Sequence, residues 1–167
     1  MLHTLLLSLF PAMMVFAAVS DLFTMTISNR LSILLVAAFL VSALYLGMPL
    51  TQIGWQISCG IGILVLTFTL FSFGWIGGGD AKLAAATALW VGWAHVMDYG
   101  LIASLLGGVL TSFLILARKF PLPGFLLQYP WATRLHDPKT GVPYGIALAA
   151  AGIIVYPHIA LAVATFA

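Results

Sequence analysis

Long stretches without a charged side chain are the feature that most constrains this sequence. Its uncharged windows cover 1–20, 31–79, 83–97, 99–117, 120–133 and 140–167. A helix of about 20 apolar residues is enough to cross the ~30 Å hydrocarbon core of a bilayer. Only 6% of the residues are charged and 63% are hydrophobic, whereas soluble domains carry about 25% charged residues. The sequence therefore excludes a soluble globular protein and predicts an all-α integral membrane protein.

Six transmembrane helices are predicted from these windows. Gly47-Met48-Pro49 is a helix stop that divides the longest window, and a polar turn at 97–100 separates the fourth helix from the fifth. Residues 1–20 lack the basic start of a secretory signal and are interpreted as a retained helix. The prolines of 120–133 place that segment at the membrane interface. The predicted helices cover 1–20, 31–47, 52–73, 81–97, 99–117 and 142–166 of one domain, 1–167.

The positive charges predict an orientation in the membrane. All Lys and Arg fall in or beside the first, third and fifth loops, namely Arg30, Lys82, Arg118, Lys119, Arg134 and Lys139. Loops rich in these residues stay in the cytoplasm. We therefore expect a multi-pass protein of the inner (cytoplasmic) membrane with both termini outside and with these loops at the cytoplasmic face.

The remaining composition argues against several kinds of site. A formal net charge of +2 is too small for the basic surface that a nucleic-acid-binding protein needs, so no nucleic-acid partner is predicted. The four histidines and the single cysteine are not spaced as metal ligands, so neither a metal site nor a cofactor is predicted. Cys59 lies in an apolar run and is expected to pack in the interior.

Two aspartates stand at the predicted cytoplasmic ends of helices one and four. Asp21 follows the first window and Asp80 follows three glycines. Two carboxylates that approach closely cannot both ionise readily, so one can activate a water while the other donates a proton, as in aspartic proteases. Glycines beside such a pair leave space for an extended substrate backbone and permit positive φ. Taken singly, Asp80 could instead be a helix N-cap and Asp21 an interfacial polar residue.

These residues resemble the motifs of the type IV prepilin peptidases. The segment GGGDAKL at 77–83 is similar to their GxGDxKL signature. Asp21, followed by Ile27 and Asn29, resembles their first aspartate motif, and VPYG at 142–145 is similar to a third block. The resemblance covers essentially the whole chain, and the pairing of GxGD with an upstream aspartate is a specific combination.

The resemblance implies an aspartic endopeptidase that removes the basic leader of type IV prepilin and pseudopilin precursors at the cytoplasmic membrane face. Its implied catalytic residues are Asp21 and Asp80, and its implied partners are the precursor, membrane lipid and the pilus assembly machinery. Roles in shaping the site or binding substrate are expected for Gly77, Gly78, Gly79, Lys82, Asn29, Pro143 and Gly145. Ser28, where many relatives have proline, leaves the geometry of the first loop open.

The resemblance also implies a subtype. Larger members of the family carry a Cys-rich cytoplasmic insert and methylate the new pilin N-terminus, and a chain with one cysteine has no such cluster. It resembles the short form found in tight-adherence (Flp-type) pilus systems, which implies cleavage without methylation.

Three other functions stay open on the sequence. They are a small transporter or ion-pathway subunit that uses the aspartates as carriers, a membrane scaffold, and a peptidase acting on archaeal preflagellins. Asp98 and His95 share a helix face but lie on the predicted outer side, so a structural or interfacial role is expected for this Asp–His pair.

Overall fold

Six α-helices make up the fold over the residues that the computed structural model describes, the backbone of 2–164 and the side chains of 8–157. The helices are α1 (Leu2–Thr24), α2 (Asn29–Tyr45), α3 (Leu50–Ser72), α4 (Gly78–Ala117), α5 (Pro130–His136) and α6 (Gly145–Ala164), and a short 3-10 turn covers Gly124–Leu126. The all-α prediction is confirmed.

Two helices, α3 and α4, are each long and apolar enough to cross a membrane. Shorter apolar helices cover Ser8–Thr24, Asn29–Tyr45 and Gly145–Pro157. Predicted helices two, three and six are found with ends displaced by one to three residues where the structure describes them. The predicted end of helix one is wrong, because α1 continues to Thr24 and carries Asp21 in its last turns.

The predicted turn at 97–100 is also wrong, because those residues are helical and the chain reverses earlier, at Gly92. Gly92 has φ 67° and ψ 176°, outside the helical range. Gly107 lies against Tyr144, and Tyr144 interacts electrostatically with Asp80. In one straight helix the 27 residues from Asp80 to Gly107 would span about 40 Å. The two arms of α4, 78–91 and 93–117, therefore lie side by side and correspond to the predicted fourth and fifth helices.

α4 is the centre of the bundle, since it packs against α2, α3 and α6, while α1 packs against α2 and α6. Trp90 of α4 is buried between Phe10 of α1 and Phe39 of α2, with ring centroids 5.1 and 5.7 Å away. Its indole Nε1 donates to the carbonyl of Leu35 at 3.0 Å, so its buried polar atom has a partner. Cys59 is a buried free thiol, as predicted.

Three loops, those after α1, α3 and α5, meet at one end of this bundle. Gly79, at the start of α4, lies against Ile27 of the loop after α1. Arg134 of α5 donates from Nη1 to the carbonyl of Phe23 at 3.2 Å. The N–H of Gly145, at the start of α6, reaches Asp21. This end, defined by 21–30, 73–82 and 134–145, is called the loop end below.

Candidate active site

Asp21 is buried in the last turns of α1, where its side chain is only 4% exposed. Its Oδ2 accepts the backbone N–H of Gly145 at 2.7 Å. Gly145 is the first residue of α6, and the first N–H groups of a helix have no partner within the helix. The positive end of the α6 dipole therefore holds the Asp21 carboxylate in place.

Asp80 is the third residue of α4 and is half-buried. The N-cap position belongs to Gly77, so the alternative that Asp80 itself is the N-cap is wrong. The Asp80 carboxylate instead accepts the backbone N–H of Gly77, the reciprocal half of a capping box. Each aspartate is thus held by a main-chain N–H at the beginning of a helix.

The two aspartates converge at the loop end although 58 residues separate them in the sequence. Asp21 acts electrostatically on Asp80. Ile27 joins their surroundings, because it packs against Gly79, next to Asp80, and against Gly145, the partner of Asp21. Ile27 belongs to the first aspartate motif, but no role in the site was predicted for it. The only sign in the sequence was that Ile27 follows Asp21 within this motif. Because Ile27 is buried near both carboxylates, it can set the distance between them.

The site glycines provide space, not positive φ. A Cβ on Gly77 would lie 2.8 Å from Asp80 Oδ2, and one on Gly145 would lie 2.8 Å from Asp21 Oδ2. A Cβ on Gly79 would lie 3.1 Å from Ile27, and one on Gly78 would lie 3.2 Å from the ring of Phe71. Gly77 has φ −73°, and the positive-φ glycines are Gly47, Gly74 and Gly92. Glycine permits positive φ, but none of the glycines at 77–79 adopts it.

Lys82 and Asn29, both predicted to shape the site, contact each other. Lys82 Nζ donates to Asn29 Oδ1 at 2.7 Å, which ties the second turn of α4 to the start of α2. Ser28 precedes Asn29 as the N-cap of α2, and its Oγ accepts the N–H of Leu31 at 3.3 Å. A helix cap therefore occupies the position where many relatives have proline.

The 142–145 block also lies at the loop end. Pro143 is buried just before α6, and Gly145 begins that helix and contacts Asp21. Tyr144 between them was not predicted as a site residue, yet it interacts electrostatically with Asp80 and its hydroxyl donates to the Ala103 carbonyl at 3.3 Å. This contact links the second arm of α4 to the site.

The Asp98–His95 pair lies away from the loop end. Asp98 Oδ2 is 3.5 Å from His95 Nδ1, within one turn of the second arm of α4 and near the reversal at Gly92. Among the described side chains, no three His, Cys, Asp or Glu gather closely enough to hold a metal ion.

Comparison with known proteins identifies the family. The sequence profile of the type IV leader peptidase family matches residues 8–112, more than half of the chain and both aspartate motifs. The chain belongs to this family. It is an aspartic prepilin leader peptidase and a membrane protein with prepilin substrates. This assignment favours the peptidase over the scaffold and the ion-pathway subunit. Neither a curated protein nor a solved structure matches the chain significantly.

Proposed function

We propose that Asp21 and Asp80 are the catalytic pair of this leader peptidase and that its substrates are Flp-type prepilins, cleaved at the cytoplasmic face without N-methylation. The observation that carries the proposal is the convergence of the two carboxylates, each bonded to a helix-start N–H. Both residues also lie within the part of the chain that matches the family.

The reaction needs only a water and the two carboxylates. One carboxylate, ionised, takes a proton from the water as it attacks the scissile carbonyl carbon. The other, protonated, donates a hydrogen bond to the carbonyl oxygen. The tetrahedral intermediate then collapses, the C–N bond breaks, and the leaving amine takes up a proton from the pair. We assign neither role to a particular aspartate, because the proton belongs to the coupled pair.

The surroundings of the pair fit an extended substrate. Peptide amides within a membrane helix are bonded to one another, so hydrolysis requires an extended segment that water can reach. The backbone at 77–79 carries no side chains, and Gly77 is exposed. A leader that leaves the membrane at the loop end would pass this backbone, and its basic residues would approach two carboxylates.

The test is cleavage of co-expressed precursors in cells. A Flp-type prepilin, a type IV prepilin and an archaeal preflagellin would each be expressed with the wild type, Asp21→Asn, Asp80→Asn and, as a matched control, Asp98→Asn. Immunoblotting follows precursor shortening and the accumulation of each variant. We expect the Flp-type prepilin to be shortened by the wild type and Asp98→Asn, and at least 100-fold more slowly by the two active-site variants.

Other outcomes would correct the proposal in defined ways. Normal cleavage by a stable Asp21→Asn or Asp80→Asn variant contradicts the catalytic assignment. Cleavage of only the type IV prepilin or only the preflagellin contradicts the subtype and leaves the aspartate pair in place. Mass spectrometry of the mature N-terminus tests the second half of the proposal, since a methylated product contradicts it.

A further inference from the structure

We propose that a groove between α2, α3 and α4 seats the apolar helical segment of the precursor while its leader is cut. This inference rests on the proposed function. The groove has a volume of about 720 Å³, within the range of ligand-binding clefts, which is about 300–1,000 Å³. α2 and α3 each pack against the first arm of α4, and the groove runs between them.

The walls of the groove suit a helix. The groove follows α2 from Asn29 to Leu40, a length of about 16 Å or three helical turns. Small residues on α2 and α4 allow the backbone of a guest helix to approach closely, as in helix pairs within membranes. They are Ala37 of α2, and Ala85 and Ala86 of α4. Its aliphatic rim includes Ile33 and Ile61, which are 66% and 57% exposed, so a guest can enter sideways from the membrane.

A buried hydroxyl inside the groove lacks a partner. Ser32 Oγ lines the groove, its side chain is only 9% exposed, and it makes no hydrogen bond in the structure. A serine within a helix commonly bonds to a carbonyl of the preceding turn, and this one does not. Since buried polar atoms are nearly always paired, a guest helix, whose backbone carbonyls can each accept a second hydrogen bond, fits this position better than an acyl chain does.

The groove ends beside the candidate active site, and for this reason we identify its occupant as the precursor. Its polar end is formed by Asn29 and Lys82, and Lys82 is two residues after Asp80. Two residues of a helix are about 200° apart, so Asp80 and Lys82 lie on opposite sides of α4. About three extended residues, at roughly 3.3 Å each, would cross this ~10 Å width over the glycines at 77–79. A precursor can therefore place its apolar helix in the groove and its scissile bond at the aspartates.

The first experiment compares two neighbours on α2. Ile33 lines the groove and Leu34 does not, yet they are 66% and 58% exposed. Steady-state cleavage is measured with purified enzyme and whichever precursor of the panel the wild type cuts. Ile33→Trp should raise KM at least tenfold with less than a twofold change in kcat, and Leu34→Trp should change neither. The inference is overturned if the KM of Ile33→Trp equals that of the wild type, or if both variants raise KM equally.

The second experiment detects the guest without turnover. In a Cys59→Ser, Asp80→Asn background, a cysteine replaces either Ile61, in the groove, or Leu66, outside it and similarly exposed at 55%. Each panel precursor carries single cysteines along its apolar segment. Oxidation should join precursor to peptidase through Ile61→Cys and not through Leu66→Cys. A product between two peptidase copies, equal products from both positions, or none overturns the inference.

These measurements separate the inference from the proposed function. If the precursor crosslinks through Ile61→Cys and the Asp80→Asn variant still cleaves it, the catalytic assignment is contradicted and binding in the groove is supported. Loss of cleavage in both aspartate variants without crosslinking would support the catalytic pair and contradict the groove.

Discussion

At the scale of single residues, main-chain N–H groups at helix starts hold the candidate catalytic carboxylates. Asp21 is bonded to the N–H of Gly145 and Asp80 to that of Gly77. The cation nearest in sequence, Lys82, is bonded to Asn29 instead. Such N–H groups can orient a carboxylate without adding a full positive charge. A cation beside the pair would instead favour ionisation of both carboxylates, whereas the reaction needs one of them protonated.

Gly145→Ala tests this arrangement at the Asp21 side. The added Cβ would lie 2.8 Å from Asp21 Oδ2 and 2.6 Å from Ile27 Cδ1, so the carboxylate must move. We expect the rate of cleavage to fall at least tenfold. The thermal midpoint of unfolding in detergent should change little, because the two crowded atoms are at the ends of side chains that can move. Gly141→Ala is the matched control, since its Cβ would meet no atom within 4 Å. Equal activity of the two variants would contradict the role given to Gly145.

At the scale of elements, the reversal inside α4 decides where the second arm can contact the site. The charge of Asp98 favoured a loop at 97–100, because charged residues usually lie outside the membrane. The structure keeps it on a helix, exposed and paired with His95 near the end of the bundle. Gly92 forms the reversal because φ of 67° is open to glycine and strained in other residues.

Substitution of two glycines by alanine distinguishes the observed reversal from the predicted one. Gly92→Ala should lower the free energy of unfolding by at least about 1–3 kcal/mol, since an L-residue is strained at this φ and ψ and its Cβ would collide with the side-chain amide of Gln56. Gly100→Ala should raise it by up to about 1 kcal/mol, because Gly100 is helical and its Cβ would meet open space. Thermal unfolding in detergent measures both changes. The opposite order of stabilities would place the turn at 97–100.

The start of α2 gives a second prediction at this scale. Ser28→Ala removes the cap of Leu31 N–H and should destabilise the protein by about 1 kcal/mol. Ser28→Pro, the residue of many relatives, should retain activity because Ser28 has φ −69°, which proline adopts. Thermal unfolding and precursor cleavage are measured for both. Inactivity of a folded Ser28→Pro variant would contradict this account of the loop.

At the scale of the whole molecule, the loop end contains both aspartates and lies near most of the positive charges. Lys82, Arg118 and Arg134 bond to side chains or carbonyls of 21–30 and 134–141. The positive-inside rule assigns such an end to the cytoplasm. The proposed orientation therefore puts the candidate site where a basic leader would lie.

Labelling with a membrane-impermeant maleimide tests this orientation. In a Cys59→Ser background, a cysteine replaces Lys139, exposed near the loop end, or Leu50, 78% exposed at the start of α3 and hence at the opposite end. In intact spheroplasts we expect Leu50→Cys to react and Lys139→Cys to react only after permeabilisation. The reverse pattern would invert the proposed topology.

Several features were predictable because they depend on local chemistry. The uncharged windows predicted the helices, and the apolar setting of Cys59 predicted its burial. The motif at 77–83 and the upstream aspartate predicted the family that the profile match then identified. Helix ends and the α4 reversal were less predictable, because caps and glycine φ depend on neighbouring helices.

The sequence by itself determined that this is a helical membrane protein of the prepilin leader peptidase family, since apolar length and a specific motif suffice for both. Only the tertiary structure decided that α6 binds Asp21, that Ile27 lies between the glycines beside the two aspartates, and that a groove follows α2 to Lys82. The physical reason is that these contacts join residues distant in sequence, and packing alone sets which helix faces meet.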